Sequence, residues 1–352
     1  MITIEWKSRK MNYTGTQVYH YRILGNIKKI KDKSDIALAC HMALIDVLGD
    51  LKVWIAAGFV AALLFGSIGE AASSIMIMVL IMQMSVSLDG LTFRKDDMKT
   101  YKRPILWGIV CCFIVNSGIT ILIGSLFIPS STAIWYGWVM LASVPSAVSV
   151  VSASLYLNGD TKATVLMTSA IYISALALTP LMTWAFLGSA VSPLEIFRYI
   201  VLFIAIPLIA SQVLKRFSLP RRGKIVFINI MLFMLMFLAF GSNRDYILSE
   251  LDMVVWVVIA CFVKIFVLGS AVTYLLKRSG TGRDSGMTYI LFSVWKNSGM
   301  AVSFCMVLLA GMTEAAVPCA VSLIMESIWF TMFNSYSERI WPTESKVHAA
   351  EA

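Results

Sequence analysis

The sequence predicts an all-α polytopic membrane protein with ten transmembrane helices. Hydrophobic residues make up 59% of the 352 residues and charged residues only 14%, a composition outside the usual range of soluble domains. The apolar residues form long continuous runs rather than the alternating pattern of a transmembrane β-barrel. The basic residues, which give a formal net charge of +9, cluster in short connections between these runs. We therefore expect a lipid bilayer, and no nucleic acid, as the surroundings of the chain.

The two ends of the chain are predicted to be polar tails. Eight Lys and Arg residues precede the first apolar run, so residues 1–51 are interpreted as a cytoplasmic basic tail without a cleavable signal peptide. Residues 34–48, SDIALACHMALIDVL, can form an amphipathic helix on the membrane surface, whereas residues 1–33 are compatible with a loosely ordered segment. Residues 337–352 are predicted to be a second cytoplasmic tail.

Ten apolar segments are long enough to cross a bilayer. They occupy residues 52–67, 71–90, 104–127, 135–157, 163–187, 195–214, 224–242, 252–276, 287–310 and 315–336. The connections on one side contain thirteen basic residues, and those on the other side contain one, Arg244. Because basic connections stay in the cytoplasm, we expect a cell-membrane protein with both termini cytoplasmic, in agreement with an even number of spans.

The spans divide into two halves of five, residues 52–187 and residues 195–336. Since five is odd, the halves enter the membrane from opposite sides, as in an inverted repeat. The fourth span of each half contains a segment that weakens a helix: Pro145 in ASVPSAVSVVSASLYLNGD, and Asn297-Ser298-Gly299 in WKNSGMAVS. Interrupted helices at matching places predict a transport site near the midplane. The alternative is that these residues only kink or pack the helices.

Three charged residues lie near the middle of predicted spans rather than at their ends: Lys264, Lys296 and Glu326. Charges at bilayer depth are costly and usually functional. We interpret all three as candidate coupling residues, because a desolvated lysine can release its proton on one side of the membrane. The alternative is that Lys296 is a fixed structural charge paired with Glu326, for which Lys264 competes.

Other classes of function find little support in the sequence. The three histidines lie outside the apolar spans, and the six cysteines show no metal-binding spacing, so we expect no metal site and no cofactor. No Ser–His or paired-Asp arrangement indicates a hydrolase, and the protein is predicted not to be an enzyme. Ten spans with broken helices disfavour a retinal-type receptor, and no ring of like residues indicates a channel.

Four motifs in order resemble those of the bile acid:sodium symporter family. They are MSVSLDGLTF at 84–93, VPSAVSVVSASLYLNGD from Val144, KNSGMAV from Lys296 and VPCAVSLIMESIW from Val317. The resemblance extends from about residue 52 to residue 336. It implies a panel domain and a core domain, in which spans four and nine cross as unwound helices beside the substrate. Members of the family carry organic anions inward, typically with two sodium ions.

The resemblance also implies sodium ligands that this sequence largely lacks. The Ser-Asn pair of span four falls on Val150 and Val151, the Glu of span nine falls on Phe292, and the Gln four residues later falls on Lys296. Sodium needs several oxygen ligands, and an ammonium beside its site repels it. We therefore expect a secondary carrier of small organic anions with degenerate sodium sites, which is either proton-coupled or facilitative.

Some oxygen-bearing side chains do remain near these positions. Thr164 and Thr168 keep the hydroxyls of span five, and Ser149 flanks the valine pair. A sodium symporter with rebuilt ligands is therefore the alternative mechanism.

The candidate substrate-binding residues are Asn297, Lys296, Ser149, Ser152 and Ser298. Asn297 matches the family residue that contacts substrate, and helix ends that point into a cavity favour an anion. The sequence makes no prediction of the oligomeric state.

Overall fold

The computed structural model describes residues 51–69, 71–91, 95–188, 191–217, 220–309 and 311–342. The predicted N-terminal tail with its amphipathic helix at 34–48, and the chain after residue 342, lie outside the described residues. Within the described ranges the secondary structure is entirely helical.

Twelve main helices are numbered here in chain order. They are α1 Leu51–Phe65, α2 Ala71–Ser87, α3 Lys102–Phe127, α4 Thr132–Ser143, α5 Val150–Tyr156, α6 Thr161–Leu187, α7 Leu194–Phe217, α8 Arg221–Ser242, α9 Leu251–Arg278, α10 Arg283–Val294, α11 Ser298–Leu308 and α12 Ala316–Ile340. Two short helices, Lys95–Thr100 and Arg244–Ser249, lie in connections.

Eight helices of the described chain are long and apolar enough to cross a membrane. They comprise α2, α3, α6, α7, α8, α9, the α10–α11 pair and α12 with its preceding turn. Their outer surfaces carry large apolar side chains such as Leu122, Leu126 and Trp256, each more than 60% exposed. Such a surface is stable against lipid and not against water. The protein is therefore a multi-pass membrane protein. The remaining predicted spans, 52–67 and 135–157, correspond to the shorter α1 and to α4–α5.

The helices pack into two groups. In the first group, α1, α2, α7 and α8 pack on one another, and α1 lies so close to α8 that a Cβ on Gly58 would approach the Phe233 carbonyl to 2.7 Å. The second group contains α3 to α6 and α9 to α12. In it a Cβ on Gly137 of α4 would lie 2.0 Å from the carbonyl oxygen of Ala315. The groups meet where α2 and α8 contact α11, where α8 contacts α12, and where α6 contacts α7.

Two of the helical paths are broken, and the place where their breaks meet is called the crossing below. Helix α4 ends at Ser143 and α5 begins at Val150, while α10 ends at Val294 and α11 begins at Ser298. Val144 is extended, as expected for a residue that precedes a proline. Helix α4 packs on α11 and α5 packs on α10, so the two broken paths run antiparallel and meet at their breaks.

Arg283, at the start of α10, fixes the ends of two neighbouring helices. Its guanidinium donates from Nε to the Trp341 carbonyl at 2.6 Å and from Nη1 to the Leu157 carbonyl at 3.0 Å, and it pairs with Glu338 at 2.6 Å. These contacts hold the end of α5 beside the end of α12. Helix α12 accordingly continues to Ile340, beyond residue 336, where the sequence predicted the tenth span to end.

Candidate functional site

The Lys296 side chain crosses from the second break to the first. Its ammonium donates to Ser117 Oγ at 2.8 Å, to the Ala142 carbonyl at 2.9 Å and to the Val144 carbonyl at 2.8 Å. These two carbonyls stand at the C-terminal end of α4, where a helix leaves acceptors without partners. An ammonium has three N–H donors, and here each has an oxygen acceptor. Lys296 therefore caps α4 and is fully buried.

No carboxylate neutralises the Lys296 ammonium among the described ion pairs. Its other neighbours are the Phe113 ring, whose centroid lies 4.9 Å away, and Cys112 Sγ at 3.7 Å. The partial negative charge at the end of α4 and the face of the aromatic ring both favour a cation. The positive charge is thus solvated by dipoles rather than by an opposite charge.

The carboxylate of Glu326 pairs with the other buried lysine. Lys264 Nζ lies 3.1 Å from Glu326 Oε1, and both side chains are almost completely excluded from solvent. Lys296 contacts the same oxygen only through its backbone N–H, at 3.1 Å. The hydroxyl of Ser298 donates to Glu326 Oε2 at 2.9 Å, and that of Ser322 donates to Oε1 at 3.2 Å. Of the two lysines that compete for Glu326 in the sequence, Lys264 is the one whose ammonium pairs with it.

Each half-helix that ends at the crossing has an ammonium at its last carbonyls. Lys264 Nζ lies 3.4 Å from the carbonyl of Val294, the final residue of α10, just as Lys296 caps α4. Lys264 projects from the middle of α9, in the widened turn Val263–Val267, and α3 has a comparable turn at Val110–Asn116 beside Ser117. The two ends of the crossing are thus capped in a similar way.

The amide of Asn297 is engaged within the protein. Its Oδ1 accepts from the Met300 N–H at 3.1 Å and so caps the start of α11. Its Nδ2 donates to the hydroxyl oxygen of Tyr172 at 2.9 Å and lies 3.3 Å from Met84 Sδ. This amide therefore contacts α2, α6 and α11 at once, which places it between the two groups of helices.

A small crevice of about 90 Å³ lies between α2 and α8 on one side and the two breaks on the other. Four of the predicted substrate residues line it: Ser149, Lys296, Asn297 and Ser298. The fifth, Ser152, is exposed and is not among the residues that line the crevice. The structure thus brings together four side chains from both broken paths.

A larger cavity of about 610 Å³ lies between α1, α8, α9 and α12. Its lining is almost wholly apolar, and the hydroxyls of Ser327 and Thr331 donate to carbonyls of their own helix. It offers no polar group that selects a ligand. Ser327 also lines the small crevice, so the two spaces are neighbours.

Of the three hydroxyls predicted as residual sodium ligands, Ser149 lines the crevice, and Thr164 lies in a separate buried cluster. Thr164 Oγ1 lies 2.9 Å from Ser154 Oγ and 3.1 Å from Thr288 Oγ1, and it donates to the Asp160 carbonyl at 2.7 Å. Thr168 donates to a carbonyl of its own helix. Val150 and Phe292, where the resemblance implies sodium ligands, are fully buried and supply no side-chain oxygen. Within the described ranges, no three His, Cys, Asp or Glu residues come together as a metal site.

Sequence reasoning missed several residues that build this site: Ser117, Tyr172, Ser154, Thr288 and Ser322. A signal was present for Ser117, because Asn116-Ser117 interrupts an otherwise apolar run in α3. The others are single hydroxyls of the kind that membrane helices often direct at their own backbone, so nothing in the sequence distinguished them.

Comparison with known proteins identifies the family. A search of curated proteins found no match. A sequence model of the sodium bile acid symporter family matches residues 74–250, which is half of the chain and contains the first break. This match agrees with the all-helical, multi-pass fold and with the four motifs that resemble the family. The chain belongs to the sodium bile acid symporter family, which is a family of transporters.

Proposed function

We propose that the protein is a secondary carrier of small organic anions that works by alternating access and without sodium coupling. The observation that carries this proposal is the Lys296 ammonium, which is held by three oxygens at 2.8 to 2.9 Å. A permanent cation at the crossing repels sodium and attracts an anion.

The proposed architecture has ten spans in two inverted repeats, with α1 as span one and α4–α5 as span four. It is supported by the broken paths in the fourth span of each half and by the widened turns in the third, Val110–Asn116 and Val263–Val267. We assign the group α1, α2, α7 and α8 to the panel domain and the other group to the core domain. Both termini are cytoplasmic in this proposal, because the basic connections lie on that side.

The absence of sodium coupling in this proposal follows from the chemistry at the family's ion positions. Val151 and Phe292 stand where the family supplies an amide and a carboxylate, and Lys296 stands where it supplies a Gln. A sodium ion here would have to form its shell from fewer oxygens and next to a fixed positive charge, both of which disfavour binding.

The hydrogen bonds around Lys296 favour a fixed charge over one that titrates. Loss of a proton would leave one of three close oxygen contacts without a donor, and it would leave the end of α4 without its cation. We therefore favour a facilitative carrier. Proton coupling remains the alternative, and the experiment at the end of the Discussion separates the two.

The proposed substrate is an anion because the crossing carries one positive charge in excess. Lys264 and Glu326 neutralise each other, whereas Lys296 has no counter-charge among the described residues. The adjacent apolar cavity suits the hydrocarbon part of an amphipathic anion. The panel of compounds to be tested therefore includes both short carboxylates and amphipathic carboxylates and sulfonates.

Alternating access in this proposal is a movement of the two groups of helices against each other. At one end the seam between them is closed, because Ser73 of α2 donates to the Met306 carbonyl of α11 at 3.3 Å. The crevice lies toward the other end, beside Gln83 and Ser87 of α2. With the proposed topology the crevice faces the cytoplasm, so this conformation represents the inward-facing state.

Sodium symport is the second candidate, and one observation favours it. The hydroxyls of Ser154, Thr164 and Thr288 gather beside the carbonyls of Asp160 and Asp284. Five oxygens at one place form the kind of ligand set that sodium uses. These hydroxyls already bond to one another, however, so we rank this candidate second.

Uptake into proteoliposomes tests the proposal for transport. The purified protein is reconstituted, and entry of each labelled anion is followed against protein-free liposomes. We expect saturable uptake of at least one anion, with competition among related anions and none by organic cations. Uptake that rises linearly with concentration, or unitary currents in a bilayer, would contradict a carrier.

A further inference from the structure

The oxygens around the Lys296 ammonium belong to parts of the chain far from Lys296. Ser117 Oγ comes from α3, and the carbonyls of Ala142 and Val144 come from the end of α4. The extended backbone before Pro145 and the packing of α4 against α12 also hold those carbonyls. The polar pocket therefore exists as a feature of the first repeat, and the second repeat supplies its occupant.

The chemistry of this pocket matches an alkylammonium ion. It offers three acceptors for three N–H donors and the Phe113 ring at 4.9 Å, and it contains no carboxylate among the described residues. An aromatic face and few oxygens suit an ammonium group, whereas sodium needs about five or six hard oxygens. The path from Cα to Nζ of Lys296 is buried, so a hydrocarbon chain fits behind the charge.

We propose that this pocket is a binding site for primary ammonium ions, and that Lys296 is its tethered ligand. The chain carries its own cation into a site that would otherwise have to be filled from solution, and the crossing is thereby held without a dissociable ion. Shortening Lys296 to Ala removes the equivalent of propylammonium and leaves a pocket of matching shape. The variant should then bind propylammonium from solution. This inference rests on the proposed function only for its transport readout.

The test measures thermal unfolding of purified Lys296→Ala at pH 7 in detergent, with propylammonium, ammonium, sodium or choline chloride at equal ionic strength. We expect propylammonium to raise the midpoint by about 3 °C or more and to saturate, ammonium to act more weakly, and sodium to match choline. The wild type should not respond to any of them. An equal response of the wild type and Lys296→Ala would overturn the proposal, as would a larger effect of sodium than of propylammonium.

Two control variants sharpen this test. Lys277 also caps a helix, since its Nζ donates to the Ile340 carbonyl at 2.8 Å, but this contact is exposed, so Lys277→Ala should not respond to propylammonium. Lys296→Met keeps the pocket filled by a side chain of similar length and should not respond either. If Lys296→Ala folds only when propylammonium is present during purification, that dependence supports the proposal. If Lys296→Ala remains unfolded with every salt while Lys296→Met folds, the proposal is wrong.

Uptake by Lys296→Ala gives a second, independent readout. We expect transport to fall at least tenfold in choline and to recover in part with propylammonium on the side that the crevice faces. The proposed transport function and the proposed ammonium site can each be contradicted without contradicting the other. A wild type that carries no organic anion contradicts the proposed function, whereas the midpoint of Lys296→Ala reports on the ammonium site whether or not transport occurs.

Discussion

The backbone N–H of Asn297 donates a 2.8 Å hydrogen bond to the carbonyl of Pro145, so the two helix breaks are joined directly. Each break leaves backbone groups without helical partners at membrane depth, where an unsatisfied group costs several kcal/mol. The bond satisfies one group from each break. The Lys296 ammonium satisfies two more carbonyls at the end of α4, and Glu326 accepts the Lys296 N–H. The breaks are thus stable because each supplies hydrogen-bond partners for backbone groups that the other leaves unsatisfied.

The ion pair of Lys264 and Glu326 should show strong coupling in stability. Lys264→Met or Glu326→Gln alone removes one partner of a buried pair, and leaving the other charge unpaired costs about 3–5 kcal/mol. The double variant leaves no unpaired charge and should recover at least half of that loss. Reversible unfolding of the four proteins in detergent measures the coupling. Additive losses in the double variant would show that the pair is not the source of the effect.

Gly137 is expected to tolerate no side chain. A Cβ there would lie 2.0 Å from the Ala315 carbonyl oxygen, so Gly137→Ala must push α4 away from the start of α12. We expect a loss of about 2 kcal/mol or more, in the range of overpacked cores. Gly118→Ala is the matched control, because its Cβ would meet nothing within 4 Å and alanine favours the helix. Equal midpoints of the two variants would contradict the packing described here.

Tyr172 positions Asn297, and its hydroxyl should be required for tight substrate binding. Tyr172→Phe removes the acceptor for Asn297 Nδ2, which frees the amide to leave its cap on α11. Because a buried unsatisfied amide costs about 1–3 kcal/mol, we expect KM to rise several-fold with a smaller change in the maximal rate. Initial uptake rates over a range of substrate concentrations test this. Tyr199→Phe, in α7 and stacked on Phe203, serves as the control. An unchanged KM in Tyr172→Phe would contradict a role of the Tyr172 hydroxyl in substrate binding.

The seam between Ser73 and Met306 should open during transport if the two groups of helices move. Ser73→Cys with Met306→Cys, in a background without other reactive thiols, places two thiols across that seam. A short bifunctional thiol reagent is expected to stop uptake, and a reductant that cleaves its linker is expected to restore it. Each single-cysteine variant treated in the same way should keep its activity. Full transport by the cross-linked protein would contradict alternating access at this seam.

The positions of the breaks were predictable from sequence, whereas their chemistry was not. Pro145 and Asn297-Ser298-Gly299 disrupt helices through local backbone effects that a sequence displays directly. The membrane character and the helical segments follow from composition in the same way. The partners of Lys296 could not be predicted, because Ser117, Ala142 and Val144 are brought to it by tertiary packing over more than 150 residues of chain. Two of those partners are backbone carbonyls, which every residue possesses.

The candidate substrate residues Ser149 and Ser152 also show that position could be predicted from the sequence and side-chain direction could not. Ser149 and Ser152 were chosen because they flank the valine pair, yet one lies in the crevice and the other is exposed outside it. Ser149 immediately precedes a short helix that begins at Val150, and Ser152 lies within its first turn. The exact start of that helix decides which direction each side chain faces. Helix boundaries depend on capping and packing, and a proline-containing segment allows several starts.

Uptake of an identified substrate under defined ion gradients tests the claim that a fixed ammonium replaces sodium coupling. Proteoliposomes carrying the wild type receive an inward sodium gradient, an inward proton gradient or neither, with the membrane potential clamped at zero. We expect the substrate to reach the same internal level, equal to the external one, in all three conditions. Accumulation with the sodium gradient would contradict the claim. Accumulation with the proton gradient alone, lost in Lys296→Gln, would show instead that Lys296 titrates during transport.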